Sequence, residues 1–321
     1  MWIRLENEAD ASAVASQLQG MGLWTRALED ASGVTTGFAV EPFSAAVDWE
    51  RLGQLDGVAE VQRPRSAHPR VDAQSGKSVV VGPVGFGVEH EPVLISGPCA
   101  IESSAQVEAI AAVAAQAGAK VLRGGAYKPR SSPYSFSGHG QTALVWMRDA
   151  ADRHGLAVVT EVMSEAEVEG VSEVADMVQI GSRNMQNFAL LRAVGRMHKP
   201  VLLKRGMAAT VEEWLLAGEH LLEAGAAGVV YCARGISGFD PHTRNLLDLG
   251  AVALLTSVYK LPVVVDPSHA VGRRDLIPSL AKASLAVGAS GLMIEVHVDA
   301  SQALSDGAQA LSPDGLSSLG F

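Results

Sequence analysis

The sequence predicts an α/β protein: a (β/α)8 TIM barrel preceded by a small ferredoxin-like α+β domain. Three observations carry the prediction. Short apolar runs recur from Pro92 to the end, most of the intervals between them are rich in Ala, Leu and Glu, and each run ends on a polar residue capable of chemistry. Strand alternating with helix implies a parallel sheet, and eight such units in about 230 residues match the size of a closed barrel. The competing reading, a doubly wound open sheet, lacks the G-x-G-x-x-G fingerprint after its first strand.

Residues 1–70 read as a separate domain. A short strand at Trp2–Leu5 precedes an Ala-rich helical stretch at Ala9–Gln19. Strand-like runs follow at Leu23–Glu29 and Gly37–Val40, then a helix near Asp48–Leu55 and a strand near Val58–Gln62. This β-α-β-β-α-β order is the ferredoxin-like pattern. Arg63–Gly76 carries two prolines and few apolar residues and reads as a linker. Alternating valines and glycines across Val79–Val88 predict a hairpin, so 71–91 is assigned as linker and hairpin, and 92–321 as the barrel.

The barrel strands are placed at Val93–Ser96, Lys120–Arg123, Ala157–Thr160, Met177–Ile180, Val201–Lys204, Gly228–Cys232, Val263–Asp266 and Gly291–Glu295. Helical patterns between them include Ala105–Ala117, Gln141–His154, Val211–Ala224 and Leu249–Tyr259. Only fifteen residues follow Asp306, with Pro313 and Gly315 among them, so the last helix is expected to be truncated. A missing helix would expose apolar strand surface, which a subunit contact would cover.

Composition narrows the functional classes. The chain of 321 residues is 48% hydrophobic and 19% charged, with a net charge of −10, as expected of a soluble globular enzyme. An acidic balance argues against nucleic-acid binding. No apolar run approaches the roughly 20 residues of a membrane span, and MWIRLENEAD lacks the apolar segment of a signal peptide. Cys99 and Cys232 cannot form a disulfide framework, so a reducing cytoplasm is the expected compartment.

Against that acidic background, VLRGGAYKPRSSPYSFSGHG (Val121–Gly140) concentrates Arg123, Lys128 and Arg130 beside glycines, Ser131 and Ser132. Such a cluster suits phosphate or carboxylate oxygens. Barrel enzymes place chemistry at the C-terminal ends of their strands. Here those ends carry Cys99, Arg123 with Lys128, Glu161, Arg183, Lys204, Arg234, Asp266 with His269, and Glu295. Cys99, His269, Glu295 and Asp306 form a mixed S/N/O donor set. It suits Mn2+, Fe2+, Co2+, Zn2+ or copper rather than a calcium or magnesium cage. The cations Arg123, Lys128, Arg130, Arg183, Lys204 and Arg234 imply a substrate, or two, with several negative charges. Glu161 among them is a counter-ion or a base that orients water.

SGPCAIES, LRGGAYKPRSSPYSF, IGSRNMQNF, PVLLKRGM, VDPSHAVGRRDLI and IEVHVDASQALSDG together resemble the 3-deoxy-D-arabino-heptulosonate 7-phosphate (DAHP) synthases. The nearest form is type Iβ, with an N-terminal ferredoxin-like domain. The resemblance implies condensation of phosphoenolpyruvate with erythrose 4-phosphate at the first step of the shikimate pathway. It implies one divalent metal on Cys99, His269, Glu295 and Asp306, acting as a Lewis acid on the aldehyde. Arg123, Lys128, Arg183, Lys204 and Arg234 then match the phosphoenolpyruvate site, and Asp266 is counted among the substrate-binding residues. Arg130 and Ser131 match the aldose phosphate site, and Lys128, Glu161, His269 and Cys99 the catalytic set. It further implies an aromatic amino acid effector, or a purely assembling role, for residues 1–70, and a homo-oligomer, tetramer or dimer.

The sister 3-deoxy-D-manno-octulosonate 8-phosphate synthases typically read KANRSS where this chain reads KPRSS, which favours the four-carbon aldose. YCARGISGF stands where the family usually has CERGIRTF. Ala233 thus replaces a carboxylate expected to orient Arg234, and Ser237–Gly238 replaces Arg–Thr. These departures leave two alternatives: a paralogue taking another aldose phosphate, and a weakly active regulatory paralogue.

Overall fold

A computed structural model describes residues 1–128, 132 and 134–321. The chain divides into two compact units, Met1–Ala67 and His68–Phe321.

The first unit contains β1 (Trp2–Leu5), α1 (Ala11–Gly20), β2 (Thr25–Glu29), β3 (Thr35–Val40), α2 (Trp49–Gly53) and β4 (Val58–Gln62). Its antiparallel sheet has the order β2-β3-β1-β4, the ferredoxin-like arrangement. Alternation along β1 turns Ile3 and Leu5 inward and Trp2 and Arg4 outward. Val14 and Leu18, one helical turn apart on α1, pack with Phe38, Leu52 and Val58. Asp10 caps α1 by accepting from the backbone N–H groups of Ser12 and Ala13.

The second unit opens with α3 (Pro69–Gln74), inside the stretch expected to be linker. Its sequence is a poor helix signal because its support is tertiary. Glu219 accepts from the backbone N–H groups of Arg70 and Val71, and the Gln74 amide exchanges two 2.8 Å hydrogen bonds with the Val229 backbone. The hairpin β5 (Val79–Val81) and β6 (Val84–Phe86) follows.

Eight parallel strands then close the barrel: β7 (Val93–Gly97), β8 (Val121–Arg123), β9 (Ala157–Val162), β10 (Met177–Ile180), β11 (Pro200–Lys204), β12 (Gly228–Ala233), β13 (Val263–Val265) and β14 (Gly291–Glu295). Between them run α4 (Ser104–Gln116), α5 (Gln141–His154), α6 (Val168–Val174), α7 (Phe188–Gly195), α8 (Val211–Glu223), α9 (Leu249–Ala253), α10 (Pro267–Val271) and α11 (Ile277–Ala286). The helix expected at Leu249–Tyr259 changes to π geometry over Leu254–Val258.

Strand periodicity sorts the barrel into two layers. Ile95, Val121, Val159, Met177, Leu202, Cys232, Val264 and Met293 point into the barrel and pack with Val79, Val81, Val84 and Phe86 of the hairpin. The hairpin therefore seals the N-terminal end. The alternate positions, such as Leu122, Val158, Leu203 and Leu292, face the helices.

The chain ends in a short helix, α12 (Pro313–Ser317). The exposed strand surface expected from a truncated last helix does not occur. All five residues of β14 are buried. Leu311 pairs with Val296, and Leu311 and Leu316 join the outer core. A subunit contact is not needed to cover this strand.

Candidate active site and metal centre

The inward-facing residues set up the site. Two positions beyond seven of them, in chain order from Val121, lie Arg123, Glu161, Gln179, Lys204, Arg234, Asp266 and Glu295. The same alternation that fills the barrel with valines delivers a ring of polar groups at its C-terminal mouth. The remaining strand, β7, has Gly97 at that level. A side chain there would collide with the Arg123 carbonyl, and Cys99 supplies the next inward group.

Cys99, His269, Glu295 and Asp306 bring one ligand atom each to within 4.8 Å of one another. Asp266 caps α10 by accepting from the His269 N–H at 3.0 Å, and its Oδ2 lies 2.7 Å from His269 Nδ1. The imidazole Nε2 is thereby left facing Glu295 Oε1, at 3.2 Å. Cys99 Sγ lies 3.3 Å from Asp306 Oδ2. It also receives hydrogen bonds from Ser305 Oγ at 2.7 Å and Lys128 Nζ at 3.0 Å. A thiolate, an imidazole and two carboxylates at this spacing fit a divalent transition metal. The His–carboxylate hydrogen bond is the arrangement that orients a ligating histidine.

Charge balance sets the protonation states. Burial would raise the Glu295 carboxyl, but His269, Arg123 and Lys128 outweigh it and hold it at about 2. Burial also acts on Asp266, where His269 and Lys204 keep the carboxyl well below the usual range. Burial lowers His269 despite its two acidic neighbours, a shift toward the neutral form that ligation requires. Cys99 is pushed up to about 11 by burial and by Glu295, against the pull of Lys128 and Arg123.

Beside this cluster lies a cavity of about 130 Å³ lined by Arg123, Lys128, Glu161, Gln179, Arg183, Lys204, Arg234, Arg244, His269 and Asp306. Arg123 donates to Glu295 Oε1 at 2.7 Å and to the Pro98 carbonyl at 2.8 Å, and Lys204 Nζ lies 2.6 Å from Asp266 Oδ2. Arg123 Nε and Arg234 Nη1 are buried with no hydrogen-bond partner among the described residues. Buried guanidinium donors left open are costly, so an anion in the cavity is their natural acceptor. Glu161 Oε2 accepts from Gln179 Nε2 at 3.2 Å, and its other oxygen occupies the space a Gly181 side chain would need.

Placement refines several expectations. Asp266, grouped with the substrate-binding residues, is fully buried and absent from the cavity wall because Lys204 and His269 enclose it. Its position is that of an orienting group. Ala233 packs in the outer layer, because it alternates with Cys232 and Arg234. A carboxylate at 233 would point away from the cavity, so Ala233 is not the cause of the open Arg234 donor. Pro129, Arg130 and Ser131 lie outside the described residues. Gln179 and Arg244 line the cavity without having been singled out from sequence. Gln179 was legible, since it follows Met177 by the two-residue step that links Val121 to Arg123.

A profile of the DAHP synthetase I family matches residues 70–320. The chain belongs to this family. It is 44% identical over 269 residues to the phospho-2-dehydro-3-deoxyheptonate aldolase of Thermotoga maritima, covering 84% of this chain and 79% of that protein. It is 32% identical over 244 residues to a 2-dehydro-3-deoxyphosphooctonate aldolase of Acidithiobacillus ferrooxidans, covering 70% and 85%. Among solved structures, a crystal structure of the Thermotoga maritima DAHP synthase superposes with a TM-score of 0.77 at 38% identity, covering 99% of this chain and 94% of that one. A truncated form of that synthase gives a TM-score of 0.71 at 42% identity over 76% and 89% of the two chains. Fold and family agree on an enzyme built on a (β/α)8 barrel. No helix among the described residues is long and apolar enough to cross a membrane.

Proposed function

We propose that this enzyme condenses phosphoenolpyruvate with erythrose 4-phosphate and water to give DAHP and phosphate, the first step of aromatic amino acid biosynthesis. Membership of the family carries the coarser statement, an aldol-type condensation of phosphoenolpyruvate with an aldose phosphate. The observation that supports the full reading is a four-donor metal cluster adjoining a cation-lined cavity whose buried Arg123 and Arg234 donors are open.

In this reading Arg123, Arg183, Lys204 and Arg234 hold the phosphate and carboxylate of phosphoenolpyruvate. Arg130 and Ser131 receive the aldose phosphate. Cys99, His269, Glu295 and Asp306 would hold a divalent metal, which would supply Lewis acidity at the aldehyde carbonyl. The enol carbon C3 forms a bond to the aldehyde carbon, and Lys128 donates a proton to the resulting alkoxide. Glu161, fixed by Gln179, takes a proton from the water that adds at C2. The bond from C2 to the phosphate-bridging oxygen then breaks, phosphate leaves with the electron pair and takes up the C2 hydroxyl proton, and C2 becomes the keto carbon of the product.

Greater identity to the heptonate enzyme than to the octonate enzyme, 44% against 32%, favours the four-carbon aldose. The Met1–Ala67 unit is assigned to regulation by an aromatic amino acid or to assembly of a dimer or tetramer. Two free cysteines fit a cytoplasmic location. The test follows the loss of enol absorbance with each aldose phosphate. Faster consumption with erythrose 4-phosphate than with arabinose 5-phosphate is expected; the reverse order assigns the five-carbon sugar, and no consumption with added Mn2+ overturns the reading.

A further inference from the structure

Two of the four metal-donor residues share a neighbour outside the donor set. Gln309 is 3% exposed. Its Nε2 donates to Glu295 Oε2 at 2.6 Å, while Glu295 Oε1 faces Arg123 Nη1 at 2.7 Å and His269 Nε2 at 3.2 Å. The other end of the amide is also occupied, since Arg244 Nη1 donates to Gln309 Oε1 at 3.2 Å. That same guanidinium nitrogen lies 3.6 Å from Asp306 Oδ1. Asp306 itself sits at φ +53, and its carbonyl accepts from the Gln309 N–H at 3.2 Å.

We propose that Gln309 is a positioning residue for metal binding: it reserves one oxygen of Glu295 so that the other is presented to the ion, and with Arg244 it holds the Asp306 turn. The inference rests on the metal reading above. The amide has one usable orientation. A carboxylate offers only acceptors and a guanidinium only donors, so Nε2 faces Glu295 and Oε1 faces Arg244. Rotation of the Glu295 carboxylate away from the cluster breaks a buried, charge-assisted hydrogen bond. Asp306 holds a left-handed conformation that non-glycine residues seldom adopt, and the Gln309–Arg244 pair closes the turn that imposes it. Partners of ligating groups typically govern metal affinity by about 10–100-fold.

The experiment titrates Co2+ into the chelator-stripped full chain and reads the thiolate-to-cobalt absorption of Cys99. Gln309→Met, close to isosteric but with no donor for Glu295, is expected to raise the Co2+ Kd about 10–100-fold, while circular dichroism of the metal-free protein matches wild type. Arg244→Ala, half-exposed and easily accommodated, is expected to raise it several-fold. A merely structural role for Gln309 predicts altered metal-free stability with an unchanged Kd, and that result overturns the proposal. Should Gln309→Met fail to fold, an unchanged Kd in Arg244→Ala overturns it equally. Absence of Co2+ binding by the wild-type chain overturns the metal reading, and this inference with it.

Discussion

Asp266 Oδ2 sits 2.7 Å from His269 Nδ1 and 2.6 Å from Lys204 Nζ. One buried carboxylate thereby joins the Cys99–His269–Glu295–Asp306 donor group to the cationic cavity. Asp266→Asn keeps the shape, but leaves Lys204 as a buried cation without its counter-charge and removes the anion that fixes the His269 tautomer. Two losses are expected: about 3–5 kcal/mol of stability, by denaturant unfolding of metal-free protein, and about 10–100-fold in metal affinity. A variant with wild-type metal affinity would show that Asp266 does not orient His269.

Glu161 is held between Gln179 and the backbone of Gly181. Glu161→Gln is expected to lower kcat by about 10²–10⁴-fold while leaving the metal content of the purified protein unchanged. Gly181→Ala places a methyl where the Glu161 carboxylate lies and is expected to lower kcat in the same direction. Unaltered turnover in both variants would reduce Glu161 to a counter-ion.

Metal ligation requires the Cys99 thiolate, and burial pushes the Cys99 thiol up to about 11. Each ion that binds near neutral pH therefore displaces close to one proton from Cys99. Affinity should rise about tenfold per pH unit below that value, provided the other ligands are already deprotonated. Calorimetry in buffers of different ionisation enthalpy counts the proton; release of none would mean that Cys99 does not ligate.

Glu295 carries a stability signature in acid. Its folded value of about 2 lies below the usual 4.5, so the folded state releases the proton more readily than the unfolded chain. Its contribution is complete above about pH 4.5 and disappears as pH falls through about 2. The unfolding free energies of metal-free wild type and Glu295→Gln should differ most near neutrality and converge across that interval. Parallel curves would show that the carboxylate charge is not stabilising.

Much of the site was legible because a strand has a period of two. Once Val121, Val159, Leu202 and Met293 are read as barrel-filling, Arg123, Glu161, Lys204 and Glu295 follow on the same face. Gln179 obeys the same rule but, as an amide, advertises no acid–base or ligand chemistry. Arg244 and Gln309 lie beyond strand ends, where no periodicity points inward. Helix α3 was hidden for a different reason: its N–H groups are satisfied by Glu219 from α8, over a hundred residues away in sequence. The covering of β14 by Leu311 and Leu316 likewise depends on the path of an irregular tail, which hydrophobic patterning does not specify.

In the proposed function, the Cys99–His269–Glu295–Asp306 cluster and the adjoining cationic cavity form one catalytic centre for condensing phosphoenolpyruvate with erythrose 4-phosphate. The most direct test titrates Mn2+ into chelator-stripped protein and measures phosphate released from the two substrates together. No release is expected without metal, a linear rise is expected up to one ion per chain, and omission of either substrate should abolish release. Full activity in the stripped protein, or phosphate release that does not need the aldose, would contradict it.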